Sequence, residues 1–107
     1  MPRTQHPLSL SLTKLSNELG HRIELARSRR DLSASLFAER VGISRNTLAR
    51  LEAGDPAVSL GTYLKALRVL GMEGDINQVA SDDVLGRKLQ DSASLRARGR
   101  SNKCASA

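Results

Sequence analysis

Three serines and three glycines divide the middle of this chain into short segments. Each of Ser33, Ser44 and Ser59 precedes a stretch with helical apolar periodicity, and Gly42, the sequence Gly54-Asp55-Pro56 and Gly71 follow these stretches in turn. Serine favours a helix start because its hydroxyl accepts a hydrogen bond from a free backbone amide. Glycine favours a helix end because it readily adopts positive φ. The pattern predicts three short helices, over residues 34–41, 45–53 and 60–70.

Two further helices are predicted on either side of these three. Leu15, Leu19, Ile23 and Ala26 share one helical face, which predicts a first helix over about residues 15–30, with Thr13 or Ser16 as N-cap and Asp31 at its end. A short fifth helix is predicted over about 75–80. The composition, with 17 leucines, 12 alanines and 2% aromatic residues, suits an aliphatic core between helices. We therefore expect an all-α fold of five helices. The apolar positions predicted to face its core are, besides those of the first helix, Leu36, Phe37, Leu48, Leu51, Leu60, Leu64, Leu67 and Leu70.

The N-terminal segment allows two interpretations. Leucine alternates with serine from Leu8 to Leu12, and period two is typical of a short strand. The same leucines also fit a helix, because Leu8, Leu12, Leu15 and Leu19 share a face. We expect residues 1–14 to form a flexible arm or a short pairing strand that leads into the first helix.

The charge of the chain is concentrated at its two ends. The net charge is +6, and residues 84–107 hold six Lys and Arg against one Asp. Residues 92–107 have almost no apolar content, so burial cannot offset the entropy of ordering them. We expect a helical domain over 15–83 followed by a basic, largely disordered tail over 84–107. Residues 84–91 of this tail have enough apolar content for one or two helical turns. A basic end suggests nucleic acid, although a solvated tail without a partner fits the charge equally well.

Several classes of function find no support in the sequence. One cysteine, Cys104, excludes a disulfide scaffold, and with His6 and His21 it does not form a metal-ligand cluster. No apolar run approaches the ~20 residues of a membrane span, and no secretory signal is evident. Neither a nucleophile motif nor a phosphate-binding glycine loop occurs. We expect a cytoplasmic protein that is not an enzyme and that has no metal, no cofactor and no membrane partner.

Residues 34–53 carry the strongest functional signal. Ala38 is small enough for two helices to cross closely, and Gly42 allows a tight turn between them. Ile43 has an apolar side chain that can fill the space inside that turn. With Leu48 and Leu51 inward, the second helix of this pair presents its polar residues outward. That arrangement is typical of a helix-turn-helix, whose second helix enters the major groove of DNA. The outward residues are Ser44, Arg45, Asn46, Thr47 and Arg50.

The stretch Leu19–Ala80 resembles the lambda-repressor/Cro-like (XRE) helix-turn-helix family. The resemblance rests on Arg27, on Leu36-Phe37-Ala38-x-x-Val41-Gly42-Ile43-Ser44, and on Leu48-x-x-Leu51-Glu52-x-Gly54. It implies a five-helix domain that binds double-stranded DNA, and a structural ion pair between Arg27 and Glu52. The DNA-binding residues predicted from the pattern and the resemblance together are Ser33, Ser44, Arg45, Asn46, Thr47, Arg50, Ser59 and Thr62.

The chain departs from this family at two places. Ala34 stands where the family commonly has a glutamine that contacts DNA, and the loop Asp55-Pro56-Ala57-Val58 lacks the usual cation. The basic tail offers further candidate contacts. These could follow phosphates, dock on an acidic protein or have no partner. The tail residues concerned are Arg96, Arg98, Arg100 and Lys103.

A narrower resemblance points to small regulators of the HipB type. It rests on Gly54-Asp55-Pro56-x-Val58-Ser59-Leu60-Gly61-Thr62 together with Leu85-Gly86-Arg87-x-Leu89. This resemblance implies an antitoxin that binds operator DNA as a homodimer and sequesters a kinase-like toxin. Two alternatives stay open. One is a stand-alone phage-type or autoregulatory repressor, and the other is a protein-binding adaptor that does not read DNA.

Overall fold

The computed structural model describes residues 7–100, and their side chains as far as Arg96. In this range the chain contains helices and no strand, so the predicted all-α class is confirmed. The chain divides into two units between Gly74 and Asp75, and the predicted domain over 15–83 spans this boundary. The α-helices are α1 (Leu10–Arg29), α2 (Ala34–Val41), α3 (Arg45–Glu52), α4 (Leu60–Leu70) and α5 (Val84–Arg100), with a 3-10 helix over Glu73–Gln78.

The three serine caps predicted from the sequence are confirmed. Ser33 Oγ accepts from the backbone N–H of Leu36 at 3.1 Å and thereby starts α2. Ser44 and Ser59 start α3 and α4 in the same way. Gly42 ends α2 with φ 88°, in the left-handed region that glycine adopts without steric cost. Local backbone chemistry therefore defines α2, α3 and α4.

The first helix begins earlier than predicted, because Ser9, and not Thr13 or Ser16, is its N-cap. Ser9 Oγ accepts from Leu12 N at 3.3 Å. Residues 10–14 therefore belong to α1, which contradicts the arm and strand predictions for them. Adding turns to an existing helix costs little compared with nucleating one. The arm predicted for residues 1–6 lies outside the described residues. At the other end Asp31, with φ 54°, follows the helix as predicted.

The core of the first unit lies where α1 packs on α3 and α4, and where α2 packs on the same two helices. Phe37 of α2 and Leu51 of α3 are 0% exposed at its centre. Leu15, Leu19, Leu36 and Leu60, predicted to face the core, are instead exposed. Leu60, for example, is the first residue of α4 and lies at the edge of the buried face of that helix, so its side chain is 65% exposed. The buried apolar residues are Ile23, Ala26, Phe37, Ala38, Val41, Leu48, Leu51, Val58, Tyr63, Ala66, Leu67 and Leu70.

Helix α1 passes the end of α3 at backbone contact distance. A Cβ on Gly20 would lie 2.6 Å from the carbonyl oxygen of Glu52 and 2.7 Å from that of Leu51. Across the same contact, a Cβ on Gly54 would meet the backbone of Ser16 and Asn17. The Ser16 hydroxyl donates to the carbonyl oxygen of Gly54. Two glycines therefore allow the close approach that fixes α3 against α1.

The second unit differs from the sequence-based expectation in two ways. The predicted fifth α-helix is the 3-10 helix, and the predicted disordered tail is helical as α5 up to Arg100. Asp83 Oδ1 accepts from Gly86 N at 2.9 Å at the start of α5. Because Leu85 and Leu89 are 67% and 61% exposed, α5 depends on helix-forming residues more than on burial. Residues 101–107 of the predicted tail lie outside the described range.

Candidate nucleic-acid interface

Helix α3 presents one continuous exposed face. Arg45, Asn46, Ala49 and Arg50 are exposed and lie within an arc of about 140° at 100° per residue. On the opposite side, Leu48 and Leu51, predicted as inward anchors, are 1% and 0% exposed. The partly buried Ile43 packs against the same core. The core therefore fixes which side of α3 faces outward.

Hydroxyl pairs stabilise the starts of α3 and α4. Ser44 Oγ accepts from Thr47 N at 3.0 Å and donates to Thr47 Oγ1 at 3.0 Å. The hydroxyl oxygens of Ser59 and Thr62 lie 2.9 Å apart in the same arrangement. The serine hydroxyls thus accept hydrogen bonds from one of the free backbone N–H groups at each helix start. Other amides of each first turn lack intrahelical partners, and such amides are the donors that phosphates use at helix starts.

Arg45 connects the start of α3 to α2. Its Nη1 atom donates to Ser35 Oγ at 2.7 Å. Ser35 is exposed on α2 and was not among the predicted site residues. No local pattern distinguishes it from other exposed serines, because its contact with Arg45 depends on how the two helices pack. The contact restrains one of the three base-reading candidates on α3.

Asn46 and Ala49 complete the exposed face of α3. No described residue forms a hydrogen bond with the Asn46 side chain, which leaves its amide available to a base edge. Ala49, also missed from the sequence, lies between Arg45 and Arg50 on this face. Its position one turn after Arg45 could have identified it. A methyl group there suits close approach to the groove and contact with a thymine methyl.

Arg50 is held by the loop that follows α3. Its Nε donates to Asp55 Oδ2 at 3.0 Å, and Asp55 Oδ1 accepts from Ala57 N at 2.8 Å. The Ala57 amide, and secondarily the Arg50 guanidinium, lower the pKa of Asp55. Asp55 marked a departure from the family and was not a predicted site residue. Its contact with Arg50 appears only when the turn after α3 is formed.

Tyr63 fastens this loop to the core. Its hydroxyl donates to the Asp55 carbonyl oxygen at 2.8 Å, while its ring is only 8% exposed. Burial, and next the Asp55 charge, raise the pKa of Tyr63. The tyrosine therefore positions the backbone of Asp55.

Arg27 of α1 and Glu52 of α3 form a two-point ion pair. Arg27 Nε lies 2.6 Å from Glu52 Oε2, and Nη2 lies 3.2 Å from Oε1. Arg27 Nη1 also donates to the Leu32 carbonyl oxygen at 2.9 Å. The side chains are 14% and 10% exposed, and the hydrogen bond to Glu52 raises the pKa of Arg27 although burial opposes this. The pair ties α1 to the last turn of α3.

The remaining candidate contacts are in the second unit. Arg96 is exposed on α5. The Arg98 and Arg100 side chains, and all of Lys103, lie outside what the structure describes. Within the described residues, no His, Cys, Asp or Glu group could hold a metal ion, and no helix has the length and apolarity to cross a membrane.

Comparison with known families agrees with this geometry. A helix-turn-helix domain model matches residues 18–76, which is more than half of the chain. The match includes all of α2, the Gly42 turn and α3. No curated protein matches the chain. With the buried side of α3 held by Leu48 and Leu51 and its polar side exposed, the chain belongs to the helix-turn-helix domain family, in its lambda-repressor/Cro-like (XRE) form.

Proposed function

We propose that this protein is a sequence-specific transcriptional repressor that acts in the cytoplasm and inserts α3 into the major groove of duplex DNA. The observation that carries the proposal is the exposure of Arg45, Asn46 and Arg50 on one face of a helix whose other face is buried. An arginine fork matches guanine O6 and N7, and an asparagine amide matches adenine N6 and N7. The face therefore combines two guanine readers with one adenine reader.

The helix starts complement this base-reading face. Ser33, Ser44 and Ser59 lie at the starts of α2, α3 and α4, where backbone amides and the helix dipole attract phosphate. In this proposal they orient the domain on the DNA backbone, together with Thr47 and Thr62. Contacts to phosphate position a protein on DNA and carry no sequence information directly. Specificity is thus assigned to α3, and orientation to the helix starts.

A narrower form of the proposal makes the protein a HipB-type antitoxin. It would bind operator DNA as a homodimer and hold a kinase-like toxin. Its support is the resemblance over Gly54–Thr62 and Leu85–Leu89, in addition to the exposed apolar residues of α5. A neighbouring reading frame that encodes a kinase-like protein, and a stable complex on coexpression, would favour this form. Absence of both would favour a stand-alone repressor.

The test of DNA reading is selection from a library of randomised duplexes. The parent protein should enrich a defined sequence, and Arg45→Ala and Asn46→Ala should each relax one position of it. Each good base contact is worth about 1–3 kcal/mol of discrimination. Arg22→Ala is the matched control, because Arg22 is an exposed arginine of α1 and not one of the proposed base readers on α3.

Thermal unfolding should show that both variants keep the fold, since both residues are exposed. Equal affinity and selectivity of parent, Arg45→Ala and Asn46→Ala would contradict the assignment of α3. A protein that binds a partner chain and enriches no duplex would favour the adaptor alternative.

A further inference from the structure

Asp55 occupies a rigidly held place beside the proposed DNA-reading face. Its backbone N–H donates to the Arg50 carbonyl oxygen at 3.0 Å, and its own carbonyl oxygen accepts from Val58 N at 3.2 Å and from the buried Tyr63 hydroxyl at 2.8 Å. Its Oδ1 atom accepts from Ala57 N at 2.8 Å. Backbone and side chain are therefore both restrained, and the second carboxylate oxygen has a fixed position.

That second oxygen binds Arg50 at one atom. Arg50 Nε donates to Oδ2 at 3.0 Å, although the arginine side chain is 46% exposed. A guanidinium has five N–H donors, and Nε carries one of them. The other four, on Nη1 and Nη2, make no hydrogen bond to a described residue. These terminal nitrogens form the fork that matches guanine O6 and N7.

We propose that Asp55 is a positioning residue that holds Arg50 in one orientation for reading a guanine, and so determines specificity at the base pair that Arg50 contacts. The inference rests on the proposed function, because it requires that α3 reads the major groove. An arginine held before binding loses less conformational freedom when it meets the base.

The charge of Asp55 gives this proposal a distinctive signature. A carboxylate near the DNA backbone repels phosphate, and this lowers affinity for every duplex alike. Positioning Arg50 instead increases the preference for one base over the others. Removal of the charge should therefore act in opposite directions on general affinity and on discrimination. A carboxylate that only repels DNA would change affinity and leave discrimination unchanged.

The experiment starts from the duplex that the parent enriches from a randomised library. The base pair read by Arg50 is the one whose preference disappears in Arg50→Ala. In Asp55→Asn the amide oxygen can still accept from Ala57 N, but the charge that binds Arg50 is gone. We expect discrimination at that base pair to fall roughly fivefold or more, within the range of a good base contact. Affinity for mismatched duplexes should stay equal or rise.

Two further variants separate positioning from other effects. Glu39 is an exposed glutamate of α2 whose side chain makes no hydrogen bond to a described residue. Glu39→Gln removes a negative charge without affecting Arg50, so this variant should change the affinity for all duplexes alike. In the Arg50→Ala background, Asp55→Asn should leave discrimination at the other base pairs unchanged. Additional loss in that background would show that Asp55 acts through the loop fold, and would overturn the proposal.

The remaining outcomes distinguish this inference from the proposed function. Unchanged discrimination in Asp55→Asn overturns the inference, whatever happens to general affinity. If Arg50→Ala keeps every base preference while Arg45→Ala relaxes one, the inference is wrong and DNA reading by α3 stands. If the parent enriches no sequence, the proposed function fails and the inference fails with it.

Discussion

Among single residues, Glu52 combines burial with charge, and its partner Arg27 lies on a different helix. Both side chains are at least 86% buried, so removal of either one leaves the other largely desolvated without its counter-charge. The Arg27 guanidinium is satisfied by Glu52 and by the Leu32 carbonyl oxygen. The pair therefore contributes to stability as a unit, and a variant that keeps only one of the two charges should be less stable than a variant that lacks both.

Glu52→Ala should destabilise the fold strongly. Breaking a buried ion pair costs about 3–5 kcal/mol, and the remaining exposure of this pair favours the lower end. Thermal and denaturant unfolding measure the effect. Glu18→Ala is the matched control, because Glu18 is an exposed glutamate of α1 whose substitution should change stability by about 0.5 kcal/mol or less. Equal small effects of the two substitutions would contradict a structural role for the pair.

At the scale of secondary-structure elements, two glycines in helices have opposite surroundings. Gly20 of α1 is buried against the end of α3, whereas the nearest atom to a Cβ on Gly61 of α4 would be Ser59 Oγ at 3.8 Å. Intrinsic propensity favours alanine over glycine by about 1 kcal/mol in a helix interior. Gly61 is the second residue of α4, so part of that gain is available there, while at Gly20 the added carbon would meet backbone atoms that cannot easily move.

Gly20→Ala should therefore destabilise the protein, and Gly61→Ala should stabilise it by up to about 1 kcal/mol. The cost at Gly20 should exceed about 1 kcal/mol, as expected for overpacking in a well-packed contact. Denaturant midpoints of the two variants give the comparison. A stability gain in Gly20→Ala would show that α1 and α3 are not in backbone contact at this point.

At the scale of the whole molecule, the second unit supplies further basic residues that DNA phosphates could contact. Residues 92–107 hold four cations and no acidic residue. Phosphate contacts release counterions, and each one steepens the dependence of log K on log salt by about 0.9. Helix α5 runs into this segment as far as Arg100, so its first three cations are on a helix.

Deletion of residues 92–107 should flatten the salt dependence of DNA binding by at most about 3–4 units, if all four cations contact phosphate. Specific and non-specific binding should weaken alike, because such contacts carry no sequence information. Replacing only the four cations by alanine is the matched control, since alanine preserves helix propensity. Unchanged DNA binding together with loss of a protein complex would show that the tail binds a protein partner. No change in either assay would show that the tail binds neither DNA nor that protein.

The sequence by itself determined the elements whose causes lie within a few residues. Ser33, Ser44 and Ser59 with the glycine stops define α2, α3 and α4, because a cap bonds an amide only three residues away. Spacing alone also identified Arg45, Asn46 and Arg50 as outward residues of α3, but it counted the half-buried Thr47 among them and missed Ala49. Composition was misleading for residues 92–100, since their low apolar content argued for disorder whereas they continue α5.

Only the tertiary structure decided the relations between elements. The need for Gly20, the bond of Arg45 to Ser35 and the exposure of Leu36 and Leu60 all depend on how one helix lies against another. The same holds for Asp55. In the sequence it only marks a loop that lacks the family's usual cation, whereas in the fold it binds Arg50 from a loop that Tyr63 holds in place. Helical periodicity assigns a residue to a face, but packing decides what that face meets.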